Sequence, residues 1–150
     1  GQGGDGGAML AAFAAPERIA AVLGDGFPTV AVANRNAPEQ TVLSGPTADV
    51  DRAAAALSAA KVRAVRLPVA AAFHSPLVAA AAEPFREALD GVDFQPGDRA
   101  VYANTTAAAY PADAAAARDL LGRQLAHPVD WVGEVRALVA DGVRTFVEVG

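Results

Sequence analysis

Between Ala8 and Val69 the hydrophobic pattern switches repeatedly between strand-like and helix-like spacing, and the order of the switches leaves few folds open. Ala8-Met9-Leu10-Ala11-Ala12-Phe13 reads as a strand. Ala15-Pro16-Glu17 opens a helix. Proline suits a first turn whose N–H lacks a helical partner anyway, and glutamate faces the positive end of the helix dipole. Ile19, Val22 and Leu23 supply its apolar stripe, and Gly24 ends it. Residues 29–33 and 40–44 read as two strands. The intervening residues 34–39 predict a hairpin with a loop longer than the two-residue type. Thr47 caps a helix that runs to Ala60, with Val50, Ala53, Ala54 and Leu57 inward. Residues 62–69 form a further strand. The order βαββαβ predicts a ferredoxin-like small subdomain over residues 8–69.

From residue 70 the character changes. Leu77, Val78, Ala81, Ala82, Phe85 and Leu89 keep helical spacing up to Gly91. Residues 101–105 read as a strand, and Asp113 caps a helix carrying Leu120, Leu121 and Leu125. Pro128 breaks it. Trp131, Val135, Leu138 and Val139 make another stripe, closed by Gly142, and residues 145–149 read as a last strand. This alternation predicts part of a parallel α/β sheet over residues 70–150. Residues 1–7, GQGGDGG, read as a linker or loop. Gly1, Gly3 and Gly6 match G-x-G-x-x-G in letters only, since no strand precedes them. The chain opens on Gly1 and stops inside a strand-like run, so it reads as a piece of a longer polypeptide.

Composition removes several classes of function. The chain is 53% hydrophobic and 19% charged, a globular balance. Its formal net charge is −5, with no cluster of Lys and Arg, so no nucleic-acid partner is expected. It has no cysteine, which removes disulfides, thiolate metal sites and a Cys nucleophile, and fits a cytoplasmic setting. No apolar run reaches the about 18 residues needed to span a bilayer, so no membrane role is expected. Two distant histidines do not make a metal site.

The chemistry concentrates in Arg66-Leu-Pro-Val-Ala-Ala-Ala-Phe-His-Ser-Pro-Leu-Val78, which runs from an extended apolar segment into a helix started by Pro76. Junctions of this kind expose a loop between rigid neighbours. His74 sits there between Phe73 and Ser75, at the boundary of the two regions, where clefts form. Imidazole is the side chain suited to general base work near neutrality. A lone His beside Phe is also what a packing residue looks like. The serines are Ser44, Ser58 and Ser75; none lies in G-x-S-x-G, and Ser75 suits a helix cap. His127, before Pro128, reads as structural or exposed. Asn36 and Gln40 flank the hairpin, where turn chemistry accounts for them.

Four stretches together resemble one family. They are Gly7-Ala-Met-Leu10; Asn36-Ala-Pro-Glu-Gln-Thr-Val-Leu-Ser-Gly45; Ala72-Phe-His-Ser-Pro76; and Gln124-Leu-Ala-His-Pro-Val-Asp-Trp131 followed by Phe146-Val-Glu-Val-Gly150. Their order resembles the acyltransferase domain of type I polyketide synthases, related to malonyl-CoA:acyl-carrier-protein transacylases. The resemblance covers essentially the whole chain. It implies an α/β-hydrolase-like large subdomain, in part residues 70–150, with the ferredoxin-like subdomain inserted. It implies a ping-pong reaction in which a serine takes the acyl group from CoA. The acyl group then passes to the phosphopantetheine thiol of an acyl carrier protein. No bound cofactor is implied.

On this resemblance His74, last residue of Ala71-Ala-Phe-His74, is the catalytic histidine. Ala71, Phe73 and Asn36 fall in the substrate-binding part, and a backbone carbonyl of the Gln124–Pro128 region, assigned to His127, orients the imidazole. The family's serine elbow, its carboxylate-pairing arginine and its first oxyanion-hole segment lie in an upstream remainder and have no counterpart in these 150 residues. The malonyl-type motif begins with His where this chain has Ala71, which loosens the assignment of the extender unit. The competing expectation is a non-catalytic ligand-binding or docking module built on the ferredoxin-like unit.

Overall fold

The computed structural model describes residues 5–69, 71–74, 78–95 and 97–149. Its centre is a four-stranded sheet made by the first half of the chain. The strands are β1 (Ala8–Ala12), β2 (Ala31–Ala37), β3 (Gln40–Gly45) and β4 (Ala64–Arg66). Their order is β2-β3-β1-β4, antiparallel at every pairing. Helices α1 (Pro16–Leu23) and α2 (Thr47–Ala59) complete the order βαββαβ.

β1 is apolar at every position because it is central and covered on both faces. Alternate side chains of a strand point to opposite faces. Ala8, Leu10 and Ala12 therefore join Ile19 of α1, Val50 and Leu57 of α2, and Leu43 of β3 in one core. Met9 and Ala11 point the other way, into a smaller cluster with Ala33, Val42 and Leu67. Each fully buried Leu contributes about 1.5–3 kcal/mol. The polar residues trapped in β3 divide. Thr41 Oγ1 donates to the Ala14 carbonyl at 3.2 Å, whereas Ser44 Oγ is buried and finds no acceptor among the described residues. Gly45 must be glycine for space, since a Cβ there would lie 2.7 Å from the Thr29 carbonyl oxygen.

Helix starts follow local chemistry, with one exchange. Pro46, which has no side-chain acceptor, stands at the cap of α2, and Thr47 is not its own cap. Asp5 caps the helix from elsewhere, accepting from Thr47 N–H at 2.8 Å and Thr47 Oγ1 at 2.6 Å. Residues 5–7, expected as linker or loop, are thus pinned to α2. Gly24 ends α1 at φ 52°, a backbone angle that suits glycine.

The hairpin is tighter than expected. Ala37 pairs with Gln40, so only Pro38 and Glu39 form the turn. Two register shifts, between Val32 and Asn34 and between Arg35 and Ala37, absorb the surplus residues inside β2 as bulges.

The second half contributes helices α3 (Ala79–Asp90), α4 (Ala114–Arg123) and α5 (Trp131–Ala140) and a small hairpin of β5 (Tyr102–Ala103) with β6 (Ala108–Ala109). Asp113 caps α4 by accepting from Ala116 N–H at 2.8 Å, as its position predicts. Arg118 of α4 fastens the end of α3, donating to the carbonyls of Leu89 and Val92, each at 3.0 Å. The halves meet on the edge of β2. Val129 N–H donates to the Ala33 carbonyl and Arg35 N–H to the Val129 carbonyl, both at 2.8 Å.

The expected parallel sheet is not formed among the described residues. The strand expected over residues 101–105 shrinks to β5 and pairs antiparallel with β6. Residues 145–149 form no ladder, and Val147 and Val149 are 78% and 90% exposed. An apolar pattern supplies strand propensity, but a strand needs a partner to satisfy its N–H and C=O groups, and no described strand lies beside this one. No helix of the described residues is long and apolar enough to cross a membrane.

Candidate active site

His74 lies just after the buried Ala72, whose N–H donates to the Gly6 carbonyl at 2.8 Å. Its backbone is left-handed, φ 56°, a region that costs a non-glycine residue about 1–3 kcal/mol and persists only where its surroundings impose it. Here they do. The His74 N–H donates to the Leu125 carbonyl at 3.2 Å, and the ring Nδ1 meets the Gln124 carbonyl at 3.1 Å.

Both carbonyls belong to the 3₁₀ turn Gln124–Ala126 that ends α4. The Gln124 carbonyl also accepts the His127 N–H at 3.3 Å, and a carbonyl oxygen has a second lone pair to offer the ring. A carbonyl oxygen only accepts, so the hydrogen between the two groups is on Nδ1. In the neutral imidazole the lone pair is then on Nε2, the arrangement of a general base.

The group that His74 meets is Gln124, not His127. His127 is exposed, and its own Nδ1 donates to the Arg123 carbonyl at 2.7 Å. Phe73 is 47% exposed and Ala71 half-buried, both in the segment that carries the imidazole. Asn36 is exposed on β2 beside the hairpin turn, and makes no hydrogen bond to that segment among the described residues. Ser75, Pro76 and Leu77 lie outside the described residues, and with them the expected Ser75 cap and the Pro76 helix start. Ser44 is sealed in the sheet, unsuited to act as a nucleophile.

Other perturbed groups sit away from His74. Burial pushes the Glu134 carboxyl above its ordinary range, and one of its oxygens has no partner among the described residues. Burial, and behind it the Glu134 charge, raises Tyr110. A cavity of about 610 Å³ lined by Phe94, Arg99, Tyr102, Tyr110 and Leu121 opens on this side. None of the residues hydrogen-bonded to His74 lines it, so the chemistry is argued from the imidazole and not from this cavity. No group of three His, Asp or Glu among the described residues could hold a metal ion.

The family model for the acyl transferase domain matches residues 2–150. The chain belongs to the acyl transferase domain family. It is 38% identical over 123 residues to a malonyl CoA-acyl carrier protein transacylase of Bacillus subtilis (strain 168), covering 81% of this chain and 38% of that protein. It is 34% identical over 145 residues to polyketide synthase GfsA of Streptomyces halstedii, covering 97% of this chain and 2% of that protein. Among solved structures it superposes on a malonyl CoA-acyl carrier protein transacylase from Burkholderia pseudomallei with a TM-score of 0.82 at 33% identity, over 89% of this chain and 46% of that one. The acyltransferase domain of the second module of the salinomycin polyketide synthase gives 0.79 at 32% identity, over 93% and 32%. The chain thus spans less than half the length of these relatives.

Two residues whose contacts shape this region escape sequence reasoning. Gln124 stands inside a motif tied to the family, but nothing in the letters says which carbonyl of that motif turns inward. Asp5 is hidden in a glycine-rich run; its only signal is that Asp among glycines favours turns in which its carboxylate binds nearby backbone.

Proposed function

We propose that this chain is the part of a malonyl-type acyltransferase that carries the base, loading an acyl carrier protein from malonyl-CoA. The observation that carries the reading is the Nδ1 contact of His74 with Gln124, which leaves Nε2 as acceptor. Nε2 takes the proton of a serine hydroxyl as that oxygen attacks the thioester carbonyl. The C–S bond breaks, and the CoA thiolate leaves with the proton returned from His74. In the second half the carrier's phosphopantetheine thiol gives its proton to Nε2. The thiolate attacks the acyl-serine, and the serine oxygen leaves and is reprotonated. The serine is contributed by the remainder of the acyltransferase domain. Phe73 borders the α-carbon of the acyl group, with Ala71 and Asn36 as further substrate contacts.

We read residues 8–69 as the ferredoxin-like small subdomain, on the strength of its β2-β3-β1-β4 antiparallel order, and residues 70–150 as the returning part of the large subdomain. The test is CoA release from malonyl-CoA by the complete domain. His74→Ala should lower it by a factor on the order of 10²–10⁴ with little change in melting temperature. An unchanged rate would remove His74 from the mechanism.

A further inference from the structure

We propose that Asp5 is a positioning residue for His74, acting through the Gly6 carbonyl and Ala72; this rests on the reading of His74 as the base. Asp5 is exposed, yet its carboxylate accepts three hydrogen bonds. They come from Gly7 N–H at 3.0 Å, Thr47 N–H at 2.8 Å and Thr47 Oγ1 at 2.6 Å. The Thr47 bonds, first the hydroxyl and then the amide, hold the carboxyl below its ordinary range. Asp5 thus clamps a loop to the start of α2, a helix rooted in the main core through Val50 and Leu57.

That loop is flexible by composition, since Gly6 and Gly7 are both glycine and Gly7 sits at φ 79°. Without the clamp it has no other side-chain anchor among the described residues. Among the described residues its backbone reaches the second half of the chain through the Gly6 carbonyl, which receives the Ala72 N–H at 2.8 Å. Ala72 is fully buried, and His74 follows two residues later in its left-handed conformation. The His74 segment is therefore held from two sides. The α4 turn grips His74 itself, and the Asp5 loop grips the chain immediately before it. A cap for α2 alone would need only the Thr47 bonds. The Gly7 bond and the Gly6–Ala72 link extend the clamp to the imidazole.

The experiment uses the complete acyltransferase domain containing this chain, with malonyl-CoA as donor and an acyl carrier protein as acceptor. Asp5→Ala should lower kcat by roughly 10-fold, as small misplacements of a catalytic group do, with KM nearly unchanged. Asp5→Asn, which keeps one acceptor oxygen, should recover part of the loss. Thr47→Val, which deletes only the hydroxyl bond, should show a smaller loss and guards against an Asp5→Ala variant that fails to fold. On a His74→Ala background, Asp5→Ala should cost nothing further, because the group it positions is gone. Wild-type kcat in Asp5→Ala, or in both milder variants should Asp5→Ala not fold, overturns the proposal. So does a full additional loss on the His74→Ala background. A His74→Ala enzyme that keeps its rate instead fails the underlying reading, a different and separable result.

Discussion

The imidazole of His74 and the carbonyl of Gln124 meet at 3.1 Å across 50 positions of sequence. The carbonyl dictates where the ring hydrogen sits. In ¹⁵N NMR of the histidine-labelled chain with the ring neutral, Nδ1 of His74 should show the protonated signature and Nε2 the unprotonated one. The reverse tautomer would mean that the Gln124 contact does not form in solution.

Selectivity is expected to turn on Phe73. Its ring is 47% exposed beside the His74 backbone and stiff in its rotamers. Malonyl carries two hydrogens on the α-carbon and methylmalonyl carries a methyl, which Phe73 is expected to crowd. Discrimination of one methyl is worth about 1–3 kcal/mol, so the complete domain should prefer malonyl-CoA by roughly 10–200-fold. Phe73→Ser should narrow that ratio. Equal loading of both donors by the unmodified domain would disprove this role, and Ala71 is where the extra room would then be sought.

The sheet stands on its α2 face. Leu57 has no exposed surface and packs in the same core as Leu10, Leu43 and Val50. Leu57→Ala removes a buried branched side chain and leaves a cavity, which costs about 2–5 kcal/mol. Urea denaturation of the two proteins gives the difference directly. A loss under about 1 kcal/mol would show that α2 repacks into the space.

Glu134 supplies a pH signature. Its carboxyl is raised by burial above the ordinary value of 4.5, so the fold binds its proton more tightly than the unfolded chain does. Its contribution is therefore fully present below the unfolded value. It is lost as pH rises from there through the folded value. Glu134→Gln, which cannot ionise, should melt higher than the parent near neutrality and lose that advantage in mild acid. Melting curves at the two pH values decide it, and an equal difference at both would exclude ionisation as the cause.

Many element starts and ends are legible in the letters because their signals are local. The apolar run of β1, proline at the start of α1, Gly24 at its end and Asp113 at the start of α4 each act within a few residues. The family motifs around His74 are legible in the same way. What they cannot carry is pairing between distant parts. The bulges of β2 are set by its register against β3, and residues 145–149 lack a ladder although their pattern is that of a strand. Whether His74 meets Gln124 or His127 depends on how the α4 turn faces a loop 50 positions away. Asp5 becomes a clamp only because folding brings Thr47, 42 positions on, to its carboxylate. By itself, then, the sequence determined the order of elements up to β4 and most helix ends, and it nominated His74 as the candidate base, since propensity, capping and side-chain chemistry act locally. Only the tertiary structure decided register, the orienting carbonyl and the anchor of the glycine-rich loop, because a hydrogen bond exists only where the fold brings donor and acceptor within reach.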